Sequence, residues 1–368
     1  MNKRIISLLA LVCLMAATLF ATGCTGKQEI SWAWKDEPKA KSTGVTINVY
    51  NWGEYIAEDT VAAFEHITGI KVNYSTFDEN ETMYTRLASG AVKYDVVIPS
   101  DYMIGKLIDE DMLLPLNFAN IPNAKFIQED LLNPVYDATG AYSVPYTWGT
   151  VGIFYNSKHV DGEDVLEGWD LLWNEEYKDK IVMFSNPRDA FGIALKKLGY
   201  SMNTENPAEW AAAYEELKTQ KKLVYRYAMD EVFDQLIGGS AWIAPYYAGD
   251  SVRIMDAEEG NPDVKFFFPA QGTNRFVDAM CVPKGATHQK EAELFINFMC
   301  RTEVAKANAE YIGYSTPQTE ALQQLDPEIA QNPTLYPSQE VLDKAEPFLT
   351  LPQDVNDQMT QYWQELMK

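Results

Sequence analysis

From Thr46 onward the order of apolar and polar residues sets a repeating rhythm. Thr46–Tyr50 alternates at a period of two, the mark of a strand with one buried face. Ala57–His66 carries Ala57, Val61 and Phe64 at helical spacing and predicts an amphipathic helix. Ile70–Ser75 predicts a second strand, Glu81–Leu87 a second helix, and the run Asp95–Pro99 a buried third strand. Residues 142–156 are long and extended, and after them the rhythm restarts. Strands are predicted at Lys180–Phe184, Ala241–Pro245, Val264–Phe268 and Arg275–Val282; helices at Asp189–Leu198, Pro207–Thr219, Lys290–Cys300 and Asp354–Met367. Strands alternating with helices indicate βαβ units and a mostly parallel sheet. Two such blocks joined by extended segments predict an α/β protein of two lobes: 46–150 with 277–322 in one, 151–276 with 323–368 in the other. A cleft between lobes is a favoured place for a ligand.

The first 45 residues break this pattern. Lys3 and Arg4 precede an apolar run from Ile5 to Phe20, then Ala21-Thr22-Gly23-Cys24. Basic, apolar and small residues in that order predict a signal peptide over 1–23, and the run is short for a membrane span of ~20 residues. Small residues just before a cysteine resemble the lipobox of bacterial lipoproteins, although Ala21 stands where leucine is usual. The resemblance implies lipidation of Cys24, with 24–45 as anchor and polar tether, and an extracytoplasmic, membrane-attached protein. A plain secretory signal is the alternative.

Composition narrows the partners. The chain of 368 residues has a formal net charge of −23. Loss of residues 1–23 removes Lys3 and Arg4 and no acid, taking it to −25. Such a surface repels nucleic acid and attracts cations. Beyond Cys24 two cysteines remain, Cys281 and Cys300, both in apolar surroundings; a disulfide between them is permitted outside the membrane, and free buried thiols are expected if the source is anaerobic. His66, His159 and His288 are the three histidines. None has a second histidine or cysteine at metal-ligand spacing, and no nucleophile elbow or phosphate-binding glycine loop occurs. The reading is a binding protein without metal or cofactor rather than an enzyme.

The chemistry that is present is aromatic and acidic. Tyr50-Asn51-Trp52-Gly53-Glu54-Tyr55, Ser100-Asp101-Tyr102 and Tyr246-Tyr247-Ala248-Gly249-Asp250 each follow a predicted strand, where open α/β sheets place their ligands. One aromatic alone reads as core; three clusters at strand ends do not. An ammonium group over a ring gains ~0.5–2 kcal/mol, and a carboxylate pairs with it through charge-assisted hydrogen bonds. Asp278 within Phe276-Val277-Asp278-Ala279-Met280 is an acid in an apolar strand, a costly position without a partner.

The ordered motifs Tyr50-Asn51-Trp52-x-Glu54-Tyr55, Asn80-Glu81-Thr82-Met83-Tyr84, Tyr94-Asp95-Val96-Val97-x-Pro99-Ser100, Ser143-Val144-Pro145-Tyr146-x-Trp148-Gly149, Ala194-Leu195-x-Lys197-Leu198-Gly199-Tyr200-Ser201 and Ile312-Gly313-Tyr314-x-Thr316-Pro317 run the length of the mature chain. Together they resemble the spermidine/putrescine-binding proteins of polyamine ABC importers. The resemblance implies a periplasmic-binding-protein fold with a hinge of crossing segments. It implies a polyamine ligand, the importer's membrane subunits as partners, and a site of Trp52, Tyr55, Ser100, Tyr102, Asp189, Tyr247, Phe276, Asp278 and Tyr314. Asp278 and Asp189 would each hold an amine. Asn186 stands where the family often has an acid, Tyr247 and Phe276 where tryptophan is common, and Leu349 near a glutamine. Asp101 and Asp250 adjoin site positions and could replace the lost charge.

Two other readings remain open. Tyr246-Tyr247 resembles the paired tyrosines of ferric-iron-binding proteins, since iron favours phenolate oxygens with further oxygen or nitrogen ligands. Acids facing across a cleft could also serve a carboxylate-dependent extracellular enzyme.

Overall fold

The computed structural model describes residues 34–256 and 258–368. The expected leader over 1–23, Cys24 and residues 25–33 lie outside them. Strand β1 (Thr46–Trp52) leads to helix α1 (Thr60–Thr68), β2 (Lys71–Phe77), α2 (Asn80–Ser89), β3 (Val96–Val97) and α3 (Asp101–Asp109). β1 pairs in parallel with β2 and β3. Asp95, immediately before β3, is fully buried, and its N–H donates to Asn48 O at 2.8 Å. Its carboxylate accepts the backbone N–H groups of Asn48 at 2.9 Å, Thr287 at 2.9 Å and His288 at 3.0 Å.

The extended segment is one strand of 14 residues, β4 (Ser143–Asn156). It is followed by β5 (Ile181–Phe184), α4 (Pro187–Lys197), α5 (Pro207–Gln220), β6 (Val224–Ala228), α6 (Val232–Ile237) and β7 (Ile243–Tyr247). Then come β8 (Val264–Phe267), β9 (Arg275–Cys281), α7 (Gln289–Met299), α8 (Thr302–Ile312) and α9 (Gln353–Met367). The strand order is β2-β1-β3-β9-β4-β7-β5-β6, with β8 on β4. β4 changes partner midway: Ser143–Thr150 pairs with β9, and Val151–Tyr155 with β7. Each half of the sheet is a parallel trio, β2-β1-β3 or β6-β5-β7, and every antiparallel pair involves β4 or β9. This is the two-lobed α/β architecture, with β4 and β9 as its crossing segments. Short elements without a clean period were not anticipated: α3, β6, α6 and α8.

Each half has its own core. Phe64 of α1 meets Phe295 and Phe298 of α7 edge-on at 5.1 and 5.4 Å. In the other half Trp169, Trp210, Phe184 and Phe191 are fully enclosed, and α9 seals that cluster with Val355, Met359 and Leu366. Residues 332–336 stay with the first half, where Ser315 Oγ donates to Leu335 O at 2.6 Å. Glu346 has reached the second, paired with Lys196.

The tether expected over 24–45 is corrected from residue 34 onward. Trp34 is buried and meets His66 edge-on at 5.4 Å, Glu37 pairs with Arg301 at 2.8 Å, and Ala40 N–H donates to His66 O at 2.8 Å. Gly69, at φ 73°, admits this segment: a Cβ there would lie 2.0 Å from Lys41 O. A polar stretch with one large apolar anchor packs when the surface offers a slot, and composition does not reveal the slot.

Candidate functional site

The strand ends converge on one place. β1 delivers Trp52 and Tyr55, β3 delivers Ser100 to Tyr102, β5 leads into Asp189 in the first turn of α4, and β7 delivers Tyr247 and Asp250. Phe276 and Asp278 stand two apart on β9, so they share a face, and Tyr314 follows the left-handed turn at Gly313 that ends α8.

Asp278 is buried. Its Oδ2 accepts from the Tyr55 hydroxyl at 2.6 Å, and the Thr147 hydroxyl lies 2.6 Å from that of Tyr55. Its Oδ1 has no hydrogen-bond partner among the described residues. Burial lifts the carboxyl from 3.8 to about 6, while the Ser100 and Tyr55 hydroxyls pull it back. Ser100 bridges Asp278 across the sheet edge, and its N–H donates to Asn80 Oδ1 at 3.3 Å. Asp189 Oδ2 accepts from Tyr247 at 3.2 Å, and Asp250 Oδ2 from Tyr314 at 2.8 Å. Burial raises both acids to about 7. A buried carboxylate is costly unless a cation or enough donors meet it, and one tyrosine hydroxyl each does not suffice.

The rings link these acids. Tyr55 meets Tyr314 with centroids 5.6 Å apart, Tyr314 meets Phe276 at 5.8 Å, Phe276 meets Tyr247 at 5.4 Å, and Tyr247 meets Phe184 at 5.3 Å. The edge-on geometry of the first three contacts leaves ring faces to a guest. Gly249 makes this possible: a Cβ there would lie 1.4 Å from Tyr314 Cδ1. The other expected residues are placed less directly. Trp52 packs on Phe77 at 4.5 Å, apart from this run of rings, with its buried indole N–H unpartnered among the described residues. The Tyr102 hydroxyl donates to Glu81 Oε1 at 2.9 Å and accepts from Asn80 Nδ2 at 3.1 Å.

Both flagged acids have places. Asp250 joins the ring array through Tyr314. Asp101 is fully buried; Oδ1 accepts the Tyr102 N–H at 2.7 Å and Oδ2 has no partner among the described residues. Burial pushes this carboxyl well above the usual aspartate value. Asn186 caps α4 by accepting the Arg188 N–H at 2.9 Å. Leu349 offers its backbone, the carbonyl accepting from Arg188 at 3.2 Å. Sequence reasoning missed Thr147, Glu81 and Arg188. The buried Arg188 guanidinium donates to Met202 O, Asn203 Oδ1 and Leu349 O, all neutral, and burial lowers it to about 10.

Rings and acids of this kind suit a cation. The phenols of Tyr246 and Tyr247 donate to Asp230 at 2.9 Å and to Asp189 at 3.2 Å, so both are engaged with carboxylates. Among the described residues no group of His, Cys, Asp and Glu side chains could hold a metal ion. Cys281 and Cys300 are free and buried. No helix among the described residues is long and apolar enough to cross a membrane.

The fold and site define a class. The chain belongs to the bacterial extracellular solute-binding protein family, whose sequence model matches residues 59–337. It is 36% identical over 304 residues to the spermidine/putrescine-binding periplasmic protein of Salmonella typhimurium, covering 82% of this chain and 86% of that one. It is 33% identical over 360 residues to spermidine/putrescine-binding periplasmic protein 1 of Haemophilus influenzae, covering 96% of each. Among solved structures it superposes on the spermidine/putrescine substrate-binding protein PotD of Streptococcus pneumoniae with a TM-score of 0.78 and 34% identity, over 88% of this chain and 98% of that one. These relatives are transport-associated binding proteins.

Proposed function

We propose that this chain captures a polyamine, spermidine or putrescine, between its lobes and delivers it to the membrane subunits of an ABC importer. The observation that carries the reading is Asp278, a buried carboxylate at the head of the ring array with one oxygen unpartnered among the described residues. An ammonium group would complete it, and the rings would cover the methylene chain. Asp278, Asp250 and Asp189 present carboxylates beside three rings of the run, Tyr55, Tyr314 and Tyr247, with Phe276 between the last two. Tyr102, Ser100 and Trp52 complete the lining. The relatives' names support the same ligand class. Capture without chemical change is the reading that the relatives' names as binding proteins support.

We assign the first lobe to 46–150 with 275–336 and the second to 151–274 with 346–368, following the change of partner along β4 and the packing of Leu335 and Glu346. The mature chain begins at a lipidated Cys24 outside the membrane. Calorimetry of the mature protein with putrescine, spermidine and spermine tests the reading. Absence of heat with all three, while a neutral solute binds, would overturn it.

A further inference from the structure

We propose that Glu81 determines specificity for a third ammonium group; this rests on the polyamine reading. The site orders its acids along the rings. Asp278 on Tyr55 and Asp250 on Tyr314 form an inner pair, because those two rings touch. Asp189 on Tyr247 lies beyond Phe276. A diamine saturates the inner pair, and a third ammonium falls to Asp189.

Asp189 is a weak partner on its own. Arg188 precedes it, buried and hydrogen-bonded to three neutral acceptors, and its positive charge acts on Asp189 as well as on Asp101. The amide of Asn186 is spent on capping α4. The missing negative charge comes from the opposite lobe. Glu81 sits in the first turn of α2, and the Tyr102 hydroxyl, itself held by Asn80, donates to its Oε1 at 2.9 Å. Thr350 Oγ1 donates to Tyr102 O at 3.0 Å, and the neighbouring Leu349 carbonyl accepts from Arg188. Tyr102, Arg188 and Asp189 therefore share one end of the cleft, and the Glu81 charge is felt at Asp189. An ammonium between Glu81 and Asp189 relieves their repulsion, and the negative charge of Glu81 offsets the positive charge of Arg188 there.

The test is Glu81→Gln, isosteric and exposed, with Glu79→Gln as a control for general surface charge. Calorimetry with spermidine and putrescine reads both affinities. Spermidine should weaken about tenfold, as for one charge-assisted contact, and putrescine less than about twofold. The control should leave the ratio unchanged. Equal loss for both amines, no loss for either, or the same loss in Glu79→Gln would each overturn the role of Glu81. If the unaltered protein bound neither amine, the polyamine reading itself would fail, and the role of Glu81 with it.

Discussion

Lowering the pH from 8 to 5 should weaken polyamine binding steeply, because the site acids of the empty protein hold protons that the ligand must expel. Asp278 is held at about 6, and Asp189 and Asp250 at about 7, against an ordinary 3.8, with burial the first cause in each case. A bound ammonium requires the ionised form. Each acid therefore costs about a factor of ten in affinity per pH unit below its empty-state value. At pH 5 that is roughly tenfold for Asp278 and roughly a hundredfold each for Asp189 and Asp250, a ceiling near ~10⁵ if all three are engaged. Stability should move in the opposite sense for the empty protein. A carboxyl raised in the folded state contributes stability that is fully present below about 3.8 and is lost as pH rises through 6 to 7. The empty protein should thus lose stability as pH rises from about 4 to about 7, and saturating ligand should offset the loss. Calorimetry in buffers of different ionisation enthalpy counts the protons released, and a melting series with and without spermidine reads the linkage. Affinity that stays flat from pH 8 to 5, with no proton release, would refute the reasoning, since acids at ordinary values would already be ionised throughout.

Other substitutions follow from the same geometry. Asp278→Asn should weaken polyamine binding by ~2–5 kcal/mol, the usual effect of breaking a buried charge pair; a change of a few tenths by calorimetry would remove Asp278 from the site. Gly249→Val should displace Tyr314, whose ring occupies the space of the added side chain, and lower affinity at least ~tenfold while the far-ultraviolet circular dichroism stays native. Closure about β4 and β9 should shrink the radius of gyration on adding spermidine, and an identical scattering curve at saturation would count against it. Trp34→Ala should lower the stability of the mature protein by ~3 kcal/mol through loss of a buried ring, whereas a free tether would give no change in melting temperature.

The alternation in Thr46–Tyr50, the helical spacing in Ala57–His66 and the long apolar run over 142–156 were enough to reveal a two-block α/β chain. Periodicity reports which face of an element is buried, and burial of a face is the first requirement of any layered fold. The acid at 278 was conspicuous for the same reason, a charge where the pattern demands an apolar residue. Its partner Thr147 was not legible, because the register of β4 against β9 pairs residues 131 positions apart. The docking of 34–45 depends on a slot beside His66 and Gly69 that exists only once α1 has packed. Glu81 and Arg188 read locally as ordinary surface charges, and Asp250 only as a neighbour of site positions. Tertiary structure gave them their places, since Coulomb interactions depend on distance and burial and on nothing that sequence separation measures.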